Sequence, residues 1–259
     1  MPSGPEPSIL NRPDGTQIAY HHFPGASPGV LFCGGLMSDM TGTKALALEE
    51  HCRAKGRAFT RFDYRGHGQS SGLFHETTLG EWAADATAVL DQICQGPQII
   101  VGSSMGGWIK LLLALARPEK VRGLVGIAPA PDFVIPMWEN LSDEDKTTMR
   151  RDGVLRRPSE YSEEPYVIAL RLIEEGRNHL LLDKPLAIHC PVRILHGMRD
   201  PDVPWRRSLK LAEMLASEDV VISYVKNGDH RLSEPDDIAR MLATVDELAM
   251  NPRAASATA

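Results

Sequence analysis

Short apolar runs alternate with longer amphipathic stretches along most of the chain. The runs are "IAYHHF" (18–23), "VLFCGG" (30–35), "AFTRFDY" (58–64), "IIVGSS" (99–104), "LVGIAPA" (124–130), "VRILHG" (192–197) and "VVISYV" (220–225). Most are β-branched and bounded by Gly or Pro, the pattern of strands buried on both faces. Between them lie amphipathic stretches of helical length at 43–55, 78–94, 106–116, 206–216 and 235–249. Strand alternating with helix predicts an α/β fold, a mostly parallel central sheet with helices on both faces.

One segment breaks this rhythm. Residues 131–188 are rich in charge and predict two or three helices with no strand. Within it Ser142 offers an N-cap, and Asp145 occupies the capping-box position three residues on. An excursion of this length exceeds an ordinary loop. It is expected to cap one end of the sheet, leaving residues 1–130 and 189–259 as the core. An interaction appendage is the alternative.

Composition narrows the function classes. The chain has 259 residues and a formal net charge of -6, with no Lys/Arg cluster. That gives no electrostatic footprint for nucleic acid. No apolar run approaches the ~18 residues of a membrane span. The start, "MPSGPEPSIL", lacks a secretory pattern. Cys33, Cys52, Cys94 and Cys190 form no C-x-x-C pair and read as small buried hydrophobes. A reducing cytoplasm is the expected setting.

The chemistry centres on "IIVGSSMGGW". Gly102-Ser103-Ser104-Met105-Gly106 fits G-x-S-x-G, between a buried strand and a helix. Glycines permit so tight a turn, because a Cβ at either flank would crowd the backbone. Ser104 is the central serine and the candidate nucleophile, at a helix N-terminus where N–H groups meet developing negative charge. Ser103 occupies the x position, with its side chain expected to point away. A serine needs a base, and in this arrangement the acid and then the histidine follow in chain order. "VRILHGMRDPDVPW" ends a strand with two carboxylates, Asp200 and Asp202. Asp200 is preferred as the acid, and Asp202 is expected to cap the next helix near Pro204. "VVISYVKNGDHRL" ends the last strand and brings His230, which alone of nine histidines stands in the required order. An oxyanion would be held by the backbone N–H of Met105 and by that of Leu36, with Gly35 second, after the strand "VLFCGG".

With these residues in place the chain resembles an alpha/beta hydrolase with a Ser104–Asp200–His230 triad. "RFDYRGHGQSSG", "ARPEKVRGLVGIAPAPDF", "CPVRILHGMRDPDVPW" and "GDHRL" resemble, more narrowly, the family of alpha/beta-hydrolase domain-containing protein ten and its bacterial relatives. The likeness runs over roughly residues 15–248. It implies an alpha/beta-hydrolase fold, with the family's acid at Asp200 and its base at His230. It also implies cleavage of acyl thioesters on protein cysteines, or of acyl glucuronides. The chain departs at Gly34, where the relative has a Pro-Gly pair, and shows no mitochondrial leader, which suggests a bacterial, cytoplasmic protein.

The expected activity is therefore that of a serine hydrolase acting on a small-molecule ester or acyl thioester, or on an S-acylated protein. It would work through an acyl-enzyme, with no cofactor and no metal. Met137, Trp138, Leu141, Val154, Leu155 and Tyr161 are available to line an apolar acyl pocket or to fasten the cap to the core, and the sequence leaves both open. Two alternatives stand: a carbon–carbon bond hydrolase of the same fold, and a non-catalytic binding module.

Overall fold

The apolar runs become strands of one eight-stranded sheet. In chain order these are β1 (Ser8–Asn11), β2 (Gln17–Phe23), β3 (Ala26–Cys33), β4 (Arg57–Phe62), β5 (Gln98–Ser103) and β6 (Val121–Ile127). A separate hairpin of β7 (Val154–Arg157) and β8 (Tyr166–Ala169) comes next, followed by β9 (Val192–Gly197) and β10 (Val220–Val225). The computed structural model describes residues 6–157 and 166–251. The sheet order is β1-β2-β4-β3-β5-β6-β9-β10. From β4 to β10 all pairings are parallel, whereas β1 and β2 form an antiparallel edge. The sheet is thus mostly parallel, as the alternation of elements predicts.

Period-two alternation along the strands divides the core into two layers. Leu31, Cys33, Ile100 and Leu124 face one side, where Trp82, Trp108 and Leu211 meet them. Those residues come from α2 (Leu79–Gln92), α3 (Met105–Ala116) and α7 (Arg206–Met214). Val30, Phe32, Ile99 and Val101 face the other side, against Leu48 and Val245 of α1 (Thr43–Ala54) and α8 (Pro235–Met250). Burying each such side chain contributes about 1.5–3 kcal/mol, so the central strands are covered from both sides. A capping box starts α2: Thr78 Oγ1 accepts from the Glu81 N–H, and Glu81 accepts from the Thr78 N–H.

Between β6 and β9 the chain forms α4 (Val134–Glu139), α5 (Asp143–Asp152), the β7–β8 hairpin and α6 (Leu170–Gly176). Ser142 caps α5 by accepting from the Asp145 N–H at 3.0 Å, as its position predicts. The hairpin corrects the expectation of helices alone. Its strands, "VLRR" and "YVIA", have four residues each, too few to establish an alternating pattern in the sequence. Leu141, Met149, Leu155 and Ile173 form a small core of the insertion's own. Both stems of the insertion meet at Asp132, just beyond β6. Its carboxylate accepts the N–H groups of Leu181 and Leu182 at 2.9 and 2.8 Å.

Candidate active site

β5 ends at Ser103 and α3 begins at Met105, which leaves Ser104 alone in the turn. Ser104 has φ 52° and ψ -117°, a conformation that costs a side-chain-bearing residue on the order of 1–3 kcal/mol. The backbone around it supplies the restraint. Ser104 N–H donates to the Ile127 carbonyl at 2.9 Å, and its carbonyl accepts from Gly107 and Ala130 at 2.8 and 3.0 Å. The flanking glycines are obligatory here. A Cβ on Gly102 would run into the Gly106 carbonyl oxygen, and one on Gly106 into that of Cys33.

Parallel strands deliver their C-terminal ends to one rim, and three of those ends supply the site. His230, after β10, places Nε2 3.0 Å from Ser104 Oγ. Its Nδ1 lies 2.7 Å from Asp200 Oδ2, in the loop after β9. A carboxylate only accepts, so Nδ1 carries the proton and Nε2 is free to accept from the Ser104 hydroxyl. Asp200 Oδ1 accepts the N–H groups of Asp202 and Val203 at 2.9 and 2.8 Å. Burial alone would raise the Asp200 carboxyl. Hydrogen bonds from His196, His230 and Val203 outweigh it and hold the group well below the usual carboxylate range.

Ser104, His230 and Asp200 therefore form one hydrogen-bonded chain, and His230 reaches Ser104 rather than Ser103, a buried residue at the end of β5. Asp202 is exposed and does not cap α7. The N-cap position is Trp205, with no side-chain hydrogen bond. The helix starts two residues beyond Pro204, too far for an Asp202 cap. On the opposite side of Ser104, Gly35 packs closely enough that a Cβ there would lie 3.5 Å from the Ser104 Cβ. Leu36 follows it, and Met105 opens α3, whose first N–H groups have no intrahelical partner. Both residues border the same cavity as Ser104 and His230.

That cavity measures about 1030 Å³ and extends beneath the insertion, lined there by Phe133, Met137, Leu141, Ile168 and Leu172. Met137 thus faces the space in front of Ser104. Trp138 packs into the insertion's own cluster with Leu155, and the Arg150 guanidinium stands 5.1 Å over its ring. Tyr161 lies outside the described residues. Asp200, Asp202 and His230 could bring ligand atoms within 4.8 Å of one another, but His230 and Asp200 are already engaged in the chain to Ser104. An ion there would compete with that chain.

Sequence reasoning missed His196 as a partner of the acid. Its Nε2–H is shared between Asp200 Oδ2 at 3.1 Å and the Val203 carbonyl at 3.0 Å, and Nδ1 meets Ser208 Oγ at 2.6 Å. The signal was the H-x-x-x-D spacing in "HGMRD".

Comparison with known proteins places this chain in a family. A family model described as serine aminopeptidase, S33, matches residues 27–148. Human mitochondrial palmitoyl-protein thioesterase ABHD10 is 46% identical over 242 residues, covering 93% of this chain and 79% of that protein. The structure of mouse alpha/beta hydrolase domain-containing protein 10 matches with a TM-score of 0.87 at 44% identity, over 93% of this chain and 97% of that one. A protein from Agrobacterium vitis S4 matches with a TM-score of 0.90 at 40% identity, over 94% and 98% of the two chains. The curated ABHD10 relatives bear the designation mitochondrial, which overturns the cytoplasmic expectation. Free thiols and an acidic composition suit either compartment, so composition could not separate them. Among the described residues no helix is long and apolar enough to cross a membrane. The chain is a hydrolase and belongs to the alpha/beta hydrolases, in the family of alpha/beta hydrolase domain-containing protein 10.

Proposed function

We propose that this hydrolase cleaves carboxylic esters or acyl thioesters through an acyl-enzyme on Ser104. The observation that carries the reading is the continuous hydrogen-bond chain Ser104 Oγ–His230–Asp200 at the head of a large, partly apolar cavity. His230 Nε2 takes the hydroxyl proton as Ser104 Oγ attacks the acyl carbon. Asp200 keeps the imidazole in the required tautomer and stabilises its cationic form. The N–H groups of Leu36 and Met105 receive the developing oxyanion. The imidazolium then returns the proton to the departing alcohol or thiol. Water attacks the acyl-serine by the same route, releasing the acid and restoring Ser104.

Residues 131–188 act as a cap over the core formed by 1–130 and 189–259, with the acyl chain lying against Phe133, Met137 and Leu172. The relatives named palmitoyl-protein thioesterases favour a thioester, on a small molecule or an S-acylated protein. A fluorophosphonate probe tests the reading. It should label the wild type and the Ser103→Ala variant, and leave Ser104→Ala unlabelled and inactive on p-nitrophenyl butyrate. Equal loss in both variants would remove Ser104 from its role. Competition by acyl thioesters and esters of graded length then ranks the substrates.

A further inference from the structure

The residue after Leu36 is held in an unusual shape. Met37 has φ 56°, a left-handed conformation that a residue with a side chain keeps only under restraint. The restraint comes from thirty residues away. Met37 N–H donates to His67 Nε2 at 3.2 Å. The other ring nitrogen, Nδ1, lies 3.2 Å from the Arg65 carbonyl oxygen. An amide N–H only donates and a carbonyl only accepts, so the ring carries its proton on Nδ1 and presents a lone pair at Nε2.

The surroundings keep the ring in that state. His67 is 4% exposed. Tyr64, Phe74 and Trp82 stand edge-on around it, with ring centroids 5.6, 5.2 and 5.1 Å away. Trp82 Nε1–H donates to the same Arg65 carbonyl at 3.1 Å, which fixes the box to the turn. Burial pushes the imidazole pKa down to about 4, so Nε2 remains available near neutral pH. The same loop is tied down a second time: Asp63 accepts the N–H groups of Met40 and Gln69 at 2.7 and 2.8 Å.

We propose that His67 is a positioning residue for the reaction, accepting the Met37 N–H so that the left-handed turn presents the Leu36 N–H to the oxyanion beside Ser104. The inference rests on the role given to Leu36 above. Without the acceptor, the Met37 N–H is left unpaired. Met37 relaxes toward negative φ, the 36–37 peptide turns, and the adjoining Leu36 N–H swings off its target. Hydrogen-bond donors aimed at an oxyanion act through geometry, so a misaimed donor is a weakened one.

His67→Phe keeps an aromatic ring in the box and removes the acceptor. Its kcat on p-nitrophenyl butyrate should fall about 10- to 100-fold, less than the full loss of a donor, with KM within about twofold. The inhibition constant of an alkyl trifluoromethyl ketone, which adds Ser104 Oγ to give an oxyanion, should rise in proportion. His67→Gln, whose amide oxygen can reach the Nε2 position, should recover part of both. His67→Asn, which can still bond Arg65 but falls short of Met37, should behave like Phe and replaces it if that variant does not fold.

Active sites are counted by fluorophosphonate titration. If the lost rate is matched by lost sites, while the survivors keep wild-type kcat and inhibitor affinity, His67 serves stability alone and the proposal is overturned. It is equally overturned if kcat and inhibitor affinity stay within about twofold of wild type. Ser104→Ala, assayed alongside, separates the two claims. An active Ser104→Ala enzyme ends both, whereas an inactive one beside an unimpaired His67→Phe ends only this one.

Discussion

Replacing Asp200 by Asn tests the chain behind Ser104 with almost no change of shape. Asp200 uses all of its acceptor capacity: two backbone N–H groups on Oδ1, and His230 with His196 on Oδ2. An asparagine oxygen can keep the two backbone bonds, which turns its NH2 toward both imidazoles. His230 must then offer Nδ1 as an acceptor and carry its proton on Nε2. A protonated Nε2 points at Ser104 and cannot accept from it. Tautomer inversion of this kind is expected to cost about 10³- to 10⁴-fold in kcat. At ~1.36 kcal/mol per decade that is roughly 4–5.5 kcal/mol of transition-state stabilisation. Steady-state kinetics on p-nitrophenyl butyrate measure it, with KM and the unfolding midpoint confirming an intact fold. Asp202→Asn, at an exposed position outside the chain, should stay within about threefold of wild type, in line with surface substitutions in general. A kcat for Asp200→Asn within tenfold of wild type, or a larger loss in Asp202→Asn, would refute the assignment of the acid.

The remaining predictions concern the core and the cavity. Lys110 on α3 is fully buried, and its Nζ has no hydrogen-bond partner among the described residues. Burial pushes its pKa down to about 8. The folded pKa is lowered, so the charged amine destabilises the fold at neutral pH, and this penalty fades as pH rises from about 8 toward 10.5. Lys110→Met should therefore raise unfolding free energy at pH 7 by on the order of 2–3 kcal/mol. Urea denaturation at pH 7 and 10 should show the gain shrinking, and a constant gain would contradict the argument. Met137→Trp puts an indole into the cavity and should shift the kcat/KM ratio of long to short acyl thioesters toward the short ones by about tenfold. An unchanged ratio would place the acyl chain elsewhere.

How much of this was legible in the sequence follows from where each signal is stored. Buried parallel strands are continuous apolar runs, so β9 was marked at its observed limits, 192–197; β10, a half-exposed edge strand, was marked at 220–225 by its run of β-branched residues. Ser104, Asp200 and His230 stood out because each follows such a run, and parallel pairing sends those ends to a common rim. The antiparallel edge strand β1 and the insertion strands gave no such run. β1 is four residues, "SILN", of which none is buried, and the β7–β8 hairpin is equally short. Supporting contacts were hidden for another reason. His67 reaching Met37 is a tie between a side chain and a distant backbone N–H, and neither end has a local pattern to betray it. The orientation of Trp138 likewise depends on a partner, Arg150, that helical periodicity alone does not select.

β6 and β9 lie side by side in the sheet, with Leu124 opposite Val192, and the chain between them leaves and returns through the Asp132 carboxylate. The excursion therefore sits on the end of the sheet rather than threading through it, and further ties such as Gly80 N–H to Glu175 and Trp108 Nε1–H to the His179 carbonyl fasten it to the core helices. Its length and internal design can change while every strand register stays as it is. Evolution, or an engineer, can exchange the ceiling of the cavity and leave untouched the rim on which Ser104 stands.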